Sequence, residues 1–337
     1  MPEGIDRRAV IEAFLGDAGW TNATRSALPG DASFRRYIRL RDGERRAMLM
    51  DAPPPKEDVR PFMTIAGHLT GLGYSAPSVF AADPENGLLL IEDFGDDTFT
   101  RLLAQGEAER PLYDLAVDLL IDLHRNPAAR RIELPAYDDD RLLAEAALLV
   151  DWYWPAIHGS APSAAHRRDY LQLWREALPA TRLVPPTLVL RDYHVDNLMR
   201  VPRRDGLAAC GLLDFQDAVI GPTAYDLVSL LEDARRDVAP ALAAALRARY
   251  LDAFPDLDGD AFAAAYSILG GQRGCKIVGI FTRLCVRDGK PHYLDHLPRV
   301  WSLIERDLRH PALAPVKDWM DRHIPPADRG RPASAKP

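Results

Sequence analysis

The chain has 337 residues, with 42 Lys and Arg against 49 Asp and Glu for a formal net charge of −7, and 47% of it is hydrophobic. That length suffices for two lobes with cores of their own, and the acidic balance argues against a general nucleic-acid binder, which needs a basic face for phosphate contacts. No apolar run approaches the ~20 residues of a membrane span, and the opening MPEGIDRRAV is charged where a secretion signal is apolar; Cys210, Cys275 and Cys285 are scattered, odd in number and without C-x-x-C spacing, so neither a disulfide framework nor a zinc site is expected and a reduced cytoplasm is the expected setting.

From Asp6 to Ala18, the residues Val10, Ile11, Phe14, Leu15 and Ala18 fall on one helical stripe, the pattern of an amphipathic helix lying on a sheet. LPGDASFRRYIRL and ERRAMLMDAP follow as a β-rich meander, with Tyr37, Ile38 and Leu40, then Ala47 to Met50, as strand material and a small-residue turn from Pro29 to Phe34 ahead of them. A helix is expected over roughly Glu57 to Leu72, a strand within Ser75 to Ala82, and a buried strand over Leu88 to Ile91 that stops at Glu92, Asp93, Phe94 and Gly95. The helical periodicity from Thr98 onward, with Gly95 as the point of change, predicts a domain of residues 1–95 and a helical one of residues 96–325. Helices are expected over Glu107 to Arg125, over Asp139 to Trp154 and over Ala164 to Ala180, with Pro185 and Pro186 breaking the chain after them. Further helices are expected over Thr223 to Arg236, Ala239 to Phe254, Ala261 to Arg287 with an interruption at Gly270 and Gly271, Arg299 to Leu308, and Pro311 to His323. Residues 326–337, ending in ADRGRPASAKP, lack apolar side chains and read as a disordered tail.

The chemistry-bearing stretch lies between Thr187 and Asp226. Leu188 to Leu190 and Gly211 to Leu213 are short apolar runs that read as strands, followed by Asp192 and Asp214, so two strand ends are expected to converge on one acidic pocket. The spacing from Asp192 to Asn197 is that of the protein-kinase catalytic loop H-R-D-x-x-x-x-N, and Asp214 with Phe215 stands where that pattern has D-F-G. Phosphoryl transfer is mostly positioning and charge neutralisation, so it asks for one carboxylate beside the acceptor hydroxyl and a carboxylate plus an amide oxygen on Mg²⁺. Asp192 is the candidate catalytic base, and Asn197 and Asp214 are the candidate magnesium ligands. An Asp after a strand is, taken alone, most often a turn or cap residue; Asp192, His194, Asn197, Asp214 and Asp226 in this order are far more specific. Asp196 and Asp217 are extra carboxylates with no required role.

These residues resemble the aminoglycoside phosphotransferase (kinase-like) family, whose loop commonly reads H-G-D-x-H-x-x-N; here Leu190 replaces the first His and Arg191 the Gly. The resemblance implies an α+β, protein-kinase-like two-lobed fold with a small β-rich N-lobe that binds nucleotide and a larger helical C-lobe that holds the acceptor. It implies ATP and Mg²⁺ as cofactors, Asp226 as a support of the catalytic loop, and phosphates under the Pro29 to Phe34 turn, where Ser33, Phe34 and Arg35 are the candidate contacts. Backbone groups of Glu92 and Phe94 are the candidates for the adenine edge. One departure is large: Met50 stands where the family keeps a strand lysine, and the helix from Glu57 to Leu72 has no acid at its centre to pair with one. Arg35, Arg36 and Arg46 are the cations near that strand, each equally suited to a solvated edge.

The acceptor is read from the helical half. Aminoglycosides are polycations and call for clustered acid, whereas this half carries Arg273, Lys276, Arg283 and Arg287, which suit a neutral or anionic acceptor unless they form only a solvated helix face. GDASFRRYIRL, AMLMDAPP, LLLIEDFGDDT, RDYHVDNLM, GLLDFQDAVIGPTAYDLVSLLEDARRDV and CKIVGIFTRL resemble the anomeric amino-sugar kinases of bacterial cell-wall recycling, which act on N-acetylmuramate and N-acetylglucosamine. That resemblance implies a small-molecule amino-sugar substrate, with Arg191, His194, Trp152, Arg273 and Lys276 as its candidate contacts, and a monomer with no nucleic-acid or membrane partner. Other acceptors (an aminoglycoside, choline or homoserine), a nucleotide-binding pseudokinase and a metal-dependent phosphohydrolase are the alternative readings.

Overall fold

The computed structural model of the protein describes residues 6–29 and 34–332. In chain order the helices and strands are α1 (Arg7–Asp17), β1 (Thr24–Ala27), β2 (Arg36–Asp42), β3 (Arg45–Asp51), α2 (Arg60–Gly71), β4 (Val79–Asp83), β5 (Leu88–Ile91), α3 (Phe99–Ala104), α4 (Glu109–Arg125), α5 (Asp139–Leu148), α6 (Trp154–His158) and α7 (Ala164–Ala177). Four short strands follow, β6 (Pro186–Val189), β7 (Leu198–Arg200), β8 (Cys210–Leu212) and β9 (Val219–Pro222), and then α8 (Ala224–Leu231), α9 (Pro240–Asp252), α10 (Gly259–Val286), α11 (Leu297–Asp307) and α12 (Ala314–His323). The chain divides into two compact units, Met1–Ala116 with Val195–Asp217, and Val117–His194 with Ala218–Pro337. The change from strand to helix comes at Gly95 as the sequence suggests, while the compact units part at 116–117, 194–195 and 217–218.

The first unit is built on a five-stranded antiparallel sheet of order β1-β2-β3-β5-β4. Strands β2 and β3 are joined by a two-residue loop in which Gly43 takes a positive φ of 60°, the conformation that glycine adopts at least cost. On one face of the sheet Leu40, Ala47, Leu49, Leu88 and Leu90 pack with Phe14, Leu15 and Trp20, which is why the stripe on α1 is apolar. Met50 alternates to the other face, opposite Tyr37 and Leu89, and is buried at 1% exposure, so the position that lacks lysine is filled by core. The β7–β8 hairpin belongs to this unit and is bonded into it by the backbone: Leu212 N donates to Ser75 O (2.7 Å), Arg200 N to Asp97 O (2.8 Å), and the Ser75 hydroxyl to Ala208 O (2.6 Å).

The second unit is helical, with the two-stranded antiparallel β6–β9 sheet. β6 and β8, whose ends were expected to meet, belong to different two-stranded sheets, β8 pairing with β7. The long helix α10 runs without a break through Gly270 and Gly271, contrary to the expected interruption. The reason is close packing: a Cβ on Gly270 would run into the Asp307 carboxylate, one on Gly274 into Ile304, and one on Gly279 into the Leu148 backbone. The glycines are notches for neighbouring elements. Residues 326–332, expected to be disordered, are held instead by Arg329, which pairs with Asp321 (2.6 Å) and Glu305 (3.0 Å), and by the Tyr153 hydroxyl, which donates to Asp328 O (2.6 Å); residues 333–337 lie outside the described residues. Among the described residues no helix is long and apolar enough to cross a membrane.

Gly→Ala changes in helices normally gain up to about 1 kcal/mol, so the notches reverse the expected sign. Gly67→Ala, on an open face of α2, should stabilise by about 0.5–1 kcal/mol, and Gly279→Ala should destabilise by about 1–3 kcal/mol through overpacking; urea unfolding of both variants measures this, and a stabilising Gly279→Ala would contradict the account of α10.

Candidate active site

In the sheet-bearing unit the β7–β8 pairing sets two of the expected metal-binding residues side by side. Leu213 N donates to Asn197 O (3.0 Å), one residue before Leu198 pairs with Leu212, and Asp214 follows directly. Asp214 has a positive φ of 54° and a carboxylate 47% exposed, accepting from Gln216 Nε2 (2.8 Å). The next residue, Phe215, is fully buried and stacks on Phe62 of α2 at 5.0 Å between ring centroids, which anchors the strand end while the carboxylate stays accessible. A carboxylate and an amide oxygen are the hard donors that Mg²⁺ takes from protein, with water and phosphate supplying the rest. Among the described residues no group of three or more His, Cys, Asp or Glu is arranged to hold a metal ion.

Arg35 lies beside this carboxylate. Its Nε donates to Glu57 Oε2 at 3.0 Å and its Nη1 reaches Asp214 Oδ1 at 3.3 Å, while Phe34 N donates to the other Glu57 oxygen (3.2 Å). Phe34 itself is 58% exposed, with the Lys56 ammonium over its ring. Ser33 lies outside the described residues. Arg36 instead pairs with the buried Asp51 (2.6 Å), and Arg46 is exposed on β3. At the end of β5, Glu92 N donates to Ser78 O (2.9 Å), and its carboxylate accepts from Ser78 Oγ (3.0 Å) and Arg204 (2.5 Å). Phe94 is buried with Met199 and Val201, and an added Cβ on Gly211 would touch its ring at 2.8 Å, so only glycine fits behind it.

In the helical unit Asp226, in the first turn of α8, is fully buried and accepts from Leu190 N (2.6 Å) and Arg191 N (2.9 Å). Burial pushes its carboxyl up to about 7 against the pull of those two N–H groups. Arg191 takes a positive φ of 70°, and the two bonds pin that strained turn. Burial alone would also raise the Asp192 carboxyl, but the Lys276 ammonium, His194, Arg191 and Arg273 outweigh it and hold the group below the ordinary carboxylate range. His194 is buried at 6% exposure, and burial lowers its imidazole pKa.

A residue that the motif reading did not single out organises this cluster. Glu145 on α5 takes the Lys276 ammonium at 3.2 Å, the Tyr137 hydroxyl at 2.5 Å and the Arg191 guanidinium. Burial raises its carboxyl, but Lys276 and Arg191 more than offset this and leave it lowered. Its signal in the sequence is a lone acid sharing a helical face with Leu142 and Leu149, where an ionised side chain must find partners. Arg273 is 7% exposed and donates to Glu232 O (3.3 Å), so it acts on the loop at a distance. Arg287 is paired with Asp288 at 2.7 Å on the exposed end of α10. Trp152 is half-buried on a π-helical turn, Leu149–Tyr153, that interrupts the expected helix between α5 and α6.

Residues 24–264 match the model of the phosphotransferase enzyme family. The chain is 39% identical to an N-acetylmuramate/N-acetylglucosamine kinase of Caulobacter vibrioides, over 96% of this chain and 99% of that protein. It is also 39% identical to one of Pseudomonas aeruginosa, over 90% of each. Among solved structures, the choline kinase LicA of Streptococcus pneumoniae superposes with a TM-score of 0.57 at 12% identity, covering 91% of this chain and 98% of that one. The aminoglycoside phosphotransferase APH(2″)-IIa in its streptomycin–ATP complex gives 0.56 at 14% identity, covering 92% and 98%. These likenesses establish the two-lobed kinase-like fold.

The loop geometry makes Asp226 a stability determinant. Asp226→Ala should cost about 1–3 kcal/mol for each buried N–H left unpaired, with Asp226→Asn, which keeps one acceptor oxygen, falling between it and the parent in urea unfolding; a change in Asp226→Ala below about 0.5 kcal/mol, within the range of an unremarkable surface substitution, would contradict this assignment.

Proposed function

The chain belongs to the phosphotransferase enzyme family, and from that premise we propose that it is an ATP-dependent kinase of amino sugars, phosphorylating the anomeric hydroxyl of N-acetylmuramate and N-acetylglucosamine in peptidoglycan recycling. The near full-length likeness to kinases of that name supports the substrate. The observation on the protein itself that carries the reading is the company of Asp192: Lys276, Arg191 and Arg273 bear on it, a positive surround that suits an anionic acceptor and would repel a polycation.

The roles follow from the chemistry. Asp192 takes the proton of the acceptor hydroxyl; an anomeric hydroxyl is more acidic than an ordinary alcohol, so an ionised carboxylate of low pKa is base enough. Asn197 and Asp214 hold Mg²⁺, and the Glu92 carbonyl and Phe94 N–H hold the adenine edge. Ser33, Phe34 and Arg35 attend the phosphates. Bound ATP and Mg²⁺ supply the phosphoryl group and neutralise its charge. Lys276 and Arg191, oriented by Glu145, meet the lactyl carboxylate of the muramate, with His194 and Trp152 as further sugar contacts, and Asp226 keeps the loop in place. ATP as donor supports a reaction in the cytoplasm, and the protein is read as a monomer.

A panel of acceptors tests this, with ADP release as the readout. Turnover is expected with N-acetylmuramate and N-acetylglucosamine and not with an aminoglycoside, choline or homoserine; Asp192→Asn should lower kcat by about 10²–10⁴-fold, and Lys276→Ala should narrow the preference for the muramate. Turnover confined to another acceptor, or an undiminished rate in Asp192→Asn, would overturn the proposal.

A further inference from the structure

Kinases of this fold ordinarily hold the α and β phosphates with a lysine on the third strand, itself braced by a helix glutamate. Here the third-strand position is Met50, buried in the core, so no cation stands there. A pair of a cation and a glutamate exists elsewhere in the same unit. Arg35, just before β2, is 13% exposed and joined to Glu57, 12% exposed, in the segment before α2. Glu57 also receives Phe34 N, so one carboxylate ties both the side chain of Arg35 and the backbone beside it.

The two ends of the Arg35 guanidinium are unequal. The Nε–Glu57 bond is 3.0 Å long between sheltered partners; the Nη1–Asp214 contact is 3.3 Å, beyond the usual length of a charge-assisted bond, and its carboxylate is half-exposed with Gln216 as a second donor. A sheltered pair is screened little and a half-exposed one much more. The Tyr37 hydroxyl also bonds the guanidinium; of its two carboxylate partners, the one at Glu57 is therefore the fixed one and the one at Asp214 the exchangeable one. Arg36 and Arg46 offer no such arrangement, the first being engaged with Asp51 and the second exposed.

The geometry points to Arg35 as the residue that replaces the missing strand lysine, and as an occupant of the metal-binding carboxylate while nucleotide is absent. Resting on the reading of Asp214 as a magnesium ligand, the inference is that Arg35, tethered by Glu57, neutralises Asp214 in the empty protein. When Mg²⁺–nucleotide enters, Arg35 releases Asp214 and turns its Nη groups to phosphate oxygens, which a planar fork bonds in pairs. Arg35 thus competes with the metal alone and cooperates with the metal bound to nucleotide.

That opposition of sign gives the test, on the full chain. Mn²⁺ binding without nucleotide, followed by electron paramagnetic resonance, and ATP binding in Mg²⁺, followed by calorimetry, are compared in the parent, Arg35→Ala, Arg35→Lys, Glu57→Gln and the control Arg46→Ala. Arg35→Ala should bind Mn²⁺ several-fold more tightly and ATP at least tenfold more weakly, raising KM for ATP while leaving KM for the sugar within twofold. Arg35→Lys, a point charge on a shorter reach, and Glu57→Gln should fall between, and Arg46→Ala should match the parent. A general loss of structure would weaken both ligands together, and that result, or unchanged ATP affinity in Arg35→Ala, overturns the inference. Asp214→Asn separates it from its premise: if that variant binds Mn²⁺ as the parent does, the metal-ligand reading fails, whereas loss of Mn²⁺ there with unchanged ATP binding in Arg35→Ala sinks the Arg35 exchange alone.

Discussion

The loop that carries a catalytic base has to be held still. In the helical unit that holding is done through the backbone one and two residues before Asp192, where the buried Asp226 accepts from the N–H groups of Leu190 and Arg191. A buried carboxylate is costly unless bonded, and a strained turn is costly unless pinned; here each requirement meets the other, since the acid needs donors and the Arg191 turn at φ 70° needs restraint. Everything assigned to Asp192 depends on that exchange, and α8, buried along its whole length, carries Asp226 in its first turn.

The remaining charges are arranged by the same logic of mutual partners. Glu145 draws Arg191 and Lys276 together, and those two cations with Arg273 in turn depress Asp192, so three positive and two negative side chains share one buried neighbourhood with positive charge in excess. Removing any one shifts the field at the others, so in the proposed reading acceptor specificity and the strength of the base are coupled. In the sheet-bearing unit Arg35 has the corresponding position between Glu57 and Asp214. There the loosest of the bonds is the one at the residue assigned to the metal, where a cation must be able to enter.

How far the sequence could be read depended on whether chemistry or packing set the pattern. The Asp192 to Asn197 spacing and Asp214–Phe215 were legible because phosphoryl transfer constrains residue type and interval together, and Leu88 to Ile91 was read to the residue because four apolar positions between turn residues leave little choice. β1 was not foreseen: Thr24–Ala27 is exposed throughout and carries no alternation. The three-residue strands β7 and β8 are set by hydrogen bonds to Ser75 and Asp97, partners more than 100 positions away. Gly270 and Gly271 look like a helix break in one dimension, but in three Gly270 is a packing notch and Gly271 sits in an ordinary, unbroken turn of α10. Met50 announced that a cation was missing, but the Arg35–Glu57 pair spans 22 positions in which the sequence has no periodicity to show it.

Position of the phosphate on the product is the most direct test of the central claim. A two-dimensional proton–phosphorus correlation spectrum, recorded on N-acetylmuramate after incubation with the protein, ATP and Mg²⁺, should couple the new phosphorus signal to the proton on C1 of the sugar. Coupling to the C6 methylene protons, or a phosphorus signal only from ADP and inorganic phosphate, would contradict the account.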